Sequence, residues 1–112
     1  MIRRFAFFSL LLLATAAPAE QVSPAERARL QRLGAALALC HGGIVRRDAR
    51  TRLASAQIVE RALAACAGRE APIRAALAQH LGAQRAAQAM QAQRQHWRAG
   101  IAQMVAQARA AR

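Results

Sequence analysis

Two cysteines, three histidines and seventeen arginines are the residues of this 112-residue chain with the most chemistry to offer, and there is no lysine beside them. Cys40 and His41 are neighbours and invite a nucleophile–base reading. Adjacent residues on a helix point about 100° apart, however, and a cysteine enzyme also needs an orienting third group and an oxyanion site. His41, His80 and His96, with Met90 and Met104, are the soft donors that copper would accept. No two of them are three or four residues apart, and the methionines are better placed as core. Ser23 and Ser55 read as helix caps, and the acids Glu20, Glu26, Asp48, Glu60 and Glu70 are scattered. The chain therefore points to no catalytic set, no metal and no cofactor, and an enzyme is not expected.

The cysteines carry a firmer expectation. Catalytic thiol pairs usually lie two residues apart at a helix start, whereas 25 residues separate Cys40 from Cys66. Two cysteines in an exported chain most often form one structural disulfide.

Export is expected from the first nineteen residues. Arg3 and Arg4 precede thirteen uncharged residues, Phe5 to Ala17, and Ala17 and Ala19 supply a small-residue cleavage site before Glu20. The apolar run is too short to span a bilayer, which takes about 20 residues. Residues 1–19 are thus read as a cleaved signal and residues 20–112 as one small helical domain, periplasmic where the host has an outer membrane and secreted otherwise. Removing the signal takes all three phenylalanines with it and leaves Trp97 as the one aromatic. Fifteen arginines then stand against five acids, a net charge of +10.

Nineteen residues of that mature stretch are large and apolar, so the core must be thin and alanine must let helices approach closely. Alanine, arginine, glutamine and leucine favour helix, and no segment alternates with period two. Ser23-Pro24-Ala25-Glu26 forms a capping box with proline at the first helical position. Leu30, Leu33, Leu37, Cys40 and Ile44 then recur at helical spacing. Gly42 and Gly43 interrupt that stripe, but Ile44 keeps its register, so the helix is expected to run on to about Arg50. A second helix starts near Ser55 with Val59, Leu63 and Cys66 on one face. Pro72 suits an early turn of a third stretch, in which Ile73, Leu77 and Leu81 lead to Gly82. A last helix spans about 83–110, with Met90, Arg94, Trp97, Ile101 and Met104 on one stripe.

Cys40 and Cys66 each lie 13 residues from Leu53, inside the polar connection between the first two helices. Antiparallel helices leaving that turn bring both cysteines to the same height, about 20 Å along. The expected architecture is all-α: three or four helices, a disulfide-linked antiparallel hairpin, and a long C-terminal helix.

The remaining signal is charge. Arg27, Arg29 and Arg32, then Arg46, Arg47, Arg50 and Arg52, cluster near the two ends of the first helix and are the candidate anion-binding residues. Arginine without lysine beside abundant alanine is also what a GC-rich coding sequence produces, and a solvated basic face keeps a small protein soluble. Nucleic acid is not the expected partner, because the chain is exported and one tryptophan makes no stacking platform. An anionic membrane surface, lipopolysaccharide, an acidic protein or a second copy remain as partners. The Gln/Ala-rich face of the last helix suits packing on another helix.

The signal, the capped helix with one cysteine, the run Ile58-Val59-Glu60-Arg61-Ala62-Leu63-Ala64-Ala65-Cys66 and the Arg/Ala-rich last helix resemble small uncharacterised exported proteins of proteobacteria. That resemblance implies no activity, cofactor or site. In length, helicity and disulfide the chain also resembles small periplasmic acid chaperones, which rely on dense carboxylates where this chain has five. The function expected is that of a non-enzymatic, exported, partner-binding or structural protein of the cell envelope, or one that binds anionic lipid through its arginines.

Overall fold

The computed structural model describes residues 22–111, so the signal expected at residues 1–19 lies outside the described residues. Four helices make up the fold: α1 (Pro24–Asp48), α2 (Ser55–Ala65), α3 (Ala67–Leu81) and α4 (Ala83–Ala110). There is no strand among the described residues, and each helix packs against the other three.

The start of α1 is set by Ser23, whose Oγ accepts from the Glu26 amide at 3.1 Å, followed by Pro24 at the first helical position. Only half of the expected capping box is made, because the Glu26 carboxylate turns away to lie 3.5 Å from His80 Nε2. The helix passes through Gly42 and Gly43 without a break and ends at Asp48. Tertiary packing on Ile44 and Val45 outweighs the glycine penalty of roughly 1 kcal/mol each.

The serine expected to cap α2 does not do so. Ala54 is the capping residue, and its amide donates to Gln57 Oε1 at 3.0 Å. Ser55 sits one position later, where its hydroxyl instead accepts from Arg109. Cys66 interrupts the path from α2 to α3 with φ −101° and ψ 8°. Pro72 does not lie in an early turn as expected: it is the sixth residue of α3, inside the helix, where its missing N–H removes the bond that would go to the Gly68 carbonyl. A single residue, Gly82, reverses the chain between α3 and α4 at φ +82°, a conformation that disfavours any residue with a Cβ.

The interior has two apolar clusters. One gathers Val45, Ile58, Val59, Ala62, Leu63, Ile101 and Val105; the other gathers Leu37, Cys66, Ile73 and Met90. Ile44 and Trp97 pack against both and join them. Ala62, Ala76 and Ala86 are fully buried, which is how a core with few large side chains still closes. Cys40 and Cys66 are disulfide-bonded with their Cα atoms 5.9 Å apart, pinning the middle of α1 to the α2–α3 junction.

Candidate anion-binding face

Each acid among the described residues is drawn into a contact with a basic side chain, and each contact joins a different pair of helices. Glu26 of α1 faces His80 of α3, and Asp48 of α1 takes Arg61 of α2. Glu60 of α2 takes Arg98 of α4 through both carboxylate oxygens, at 3.0 and 3.3 Å. Glu70 of α3 takes Arg94 of α4 at 3.1 Å. Four acids therefore brace four sides of the bundle, and each already faces a basic side chain.

Two of these carboxylates are buried. Asp48 accepts from Arg61 Nε at 2.8 Å and from Arg47 Nε at 3.2 Å. The Arg61 bond, and after it the Arg47 bond, holds the Asp48 carboxyl below its ordinary range against the opposing effect of burial. The same pairing raises the Arg61 guanidinium. Glu70 is 3 % exposed, with Oε2 lacking a hydrogen-bond partner. His41 is also buried, its Nε2 unbonded and its ring tilted against Trp97 at 6.2 Å between centroids. Burial pushes this imidazole below its usual range.

Sequence reasoning weighs His41 as a base or metal donor, but places neither it nor Asp48 or Glu70 in the interior. The signal was present: Leu37, His41, Ile44 and Asp48 follow one another at steps of four, three and four, so His41 and Asp48 continue the apolar stripe.

Among the fourteen arginines of the described residues, Arg47, Arg61, Arg94 and Arg98 pair with acids. Arg109 is held by oxygens of the α1–α2 connection, and Arg27 Nη2 donates to the Val22 carbonyl at 3.4 Å. The others have no acidic partner among the described residues.

The seven candidate arginines are all exposed, but they do not form one group. At 100° per residue, Arg32 and Arg46 point within about 20° of Leu39, on the side of α1 opposite buried Leu37. Arg29 and Arg47 both lie about 80° to one side of this line, with the Arg47 Nε engaged by Asp48. Arg27 points to a different side of the helix, and Arg50 and Arg52 lie in the connection beyond it. Leu39 is 71 % exposed, the more exposed of two large apolar side chains at the surface among the described residues. Ala35, Gly42 and Gly43 fill the spaces around it.

The histidines and methionines weighed as metal donors are dispersed: Met90 is core, His80 faces Glu26, and His96 is exposed. No three His, Cys, Asp or Glu side chains among the described residues are placed to share an ion. A shallow, mainly apolar groove of about 420 Å³ runs along α4 beside His96, Trp97, Gly100 and Met104.

No protein-family model, curated protein or solved structure matches this chain.

Proposed function

We propose that this is an exported, non-enzymatic helical protein that holds an anionic partner against the outer face of α1. The observation that carries the reading is the disposition of charge. Every acid among the described residues already faces a basic side chain, and of the arginines along α1 only Arg47 meets a carboxylate, so Arg27, Arg29, Arg32 and Arg46 have none among the described residues. Such a surface attracts anions at long range, and arginine matches phosphate and carboxylate geometry through paired N–H groups. The Cys40–Cys66 disulfide favours an oxidising compartment, which supports export and a periplasmic or secreted location.

The test is retention on immobilised heparin as a generic polyanion. The protein is expected to bind at low salt and elute as salt rises, because exposed charges are screened. Arg32→Glu combined with Arg46→Glu is expected to elute at clearly lower salt. Failure to bind at low salt, or identical elution of the double variant, removes the reading.

A second reading, association of two copies along α4, is favoured by the apolar groove beside Trp97. Light scattering across a concentration series decides it, and a strict monomer ends it.

A further inference from the structure

We infer that the outer face of α1 docks on the surface of an anionic phospholipid bilayer, with Leu39 entering the headgroup layer. This rests on the anion-binding reading and narrows its partner to a lipid surface.

Arg32 and Arg46 lie seven residues on either side of Leu39, so their Cα atoms are about 21 Å apart along one convex edge. A small anion needs donors that converge on it, and these stand too far apart to do so. An extended plane of phosphates is the complement of such an edge, and basic residues next to an anionic leaflet are drawn to it.

Charge alone would suit a soluble polyanion equally well, and Leu39 separates the two. A leucine 71 % exposed between arginines has no counterpart to meet on a polyphosphate or a sulfated sugar. On a bilayer its side chain passes between headgroups to the acyl boundary, while the guanidinium groups remain at phosphate level.

The glycines add an independent observation. A Cβ at Gly43 would meet nothing within 4 Å, and one at Gly42 would meet only Arg46 Nη1 at 3.7 Å. The packing of this chain therefore does not call for glycine at either position, although glycine disfavours helix. With Ala35 they form a low floor, above which Leu39 stands out and across which the α1 backbone can approach the headgroup plane. No helix among the described residues is long and apolar enough to cross a membrane, so the contact is peripheral and reversible.

The experiment is co-sedimentation of the protein, as recovered from its host and with its intact mass measured, using two kinds of vesicle. Phosphatidylglycerol mixed into phosphatidylcholine is expected to bind it at low salt and release it at high salt, and pure phosphatidylcholine is expected not to bind it. Leu39→Gln is expected to weaken vesicle binding about tenfold, while heparin retention stays within about twofold. Leu39→Phe is expected to strengthen vesicle binding, and unchanged melting of both variants shows that the fold is intact. Leu39→Gln binding vesicles as tightly as wild type overturns the inference and leaves the anion-binding reading standing. So does binding to heparin without binding to vesicles, which points to a soluble polyanion, or equal binding to both vesicle types. Failure on vesicles and heparin alike removes both.

Discussion

Arg61, thirteen residues after Asp48, places its Nε 2.8 Å from Asp48 Oδ2 and so fastens α2 to the last residue of α1. Because the Asp48 carboxyl is held below its ordinary value of 3.8, its contribution to stability is complete above that pH. It is lost as pH falls through the lower folded-state value, where the native carboxylate must also take a proton. Asp48→Asn is therefore expected to lower the thermal midpoint at neutral pH and to matter much less in strong acid. Circular dichroism melts across acid pH check this, and equal midpoints for the two proteins at neutral pH would contradict it.

His41 gives a second pH dependence in a milder range. Its folded-state value lies below 6.5, so between the two values the unfolded chain binds a proton that the native chain refuses. Stability from this group is complete above pH 6.5 and declines as pH falls towards the folded value. The wild-type midpoint is expected to drop on that descent, with a shallower drop in His41→Leu. The difference between the two slopes is the readout, since it cancels every group the two proteins share; parallel slopes would refute the assignment.

The disulfide closes a loop with a sequence separation of 26, for which chain entropy gives about 3.5 kcal/mol. At roughly 4–8 °C per kcal/mol for a domain of this size, reduction or Cys66→Ser is expected to lower the midpoint by well over 10 °C. A reduced protein that melts with the oxidised one would show that the crosslink is dispensable.

Gly43→Ala is expected to act in the opposite direction. Nothing lies where the new methyl group would sit, so the gain in helix propensity, about 0.5–1 kcal/mol, should appear in full. The midpoint is expected to rise by a few degrees, and a fall would mean that the position is crowded in the native protein.

The helices were largely legible from residue types alone. The Ser23-Pro24 start, the passage through Gly42-Gly43, the hairpin with its cysteine pair, and the last helix all follow from capping, spacing and propensity, and the fold has them. Spacing puts Asp48 on the apolar stripe of α1, but the partner that lets a charge turn inward is not legible in residue types. Asp48 and Glu70 are polar letters in a polar-looking run, and their burial depends on Arg61 and Arg94 arriving from other helices. Ser55 departs from its expected capping role for the same reason, because its hydroxyl has a rival use that only the position of Arg109 reveals. The arginine clusters were visible, but the separation of Arg27 from Arg32 and Arg46, and the exposure of Leu39 between them, required the phase of α1 to be fixed.

Arg109 also bears on the order in which the molecule is completed. Its guanidinium donates to the Ser55 hydroxyl and to the Thr51 and Leu53 carbonyls, holding the bend between the first two helices from a position 54 residues beyond Ser55. Chains emerge with their early segments first, so the crosslinked pair of helices can assemble while the rest is still being made. The bend that begins the pair has local bonds of its own, through Thr51 and Asp48, but gains those from Arg109 only once α4 is in place.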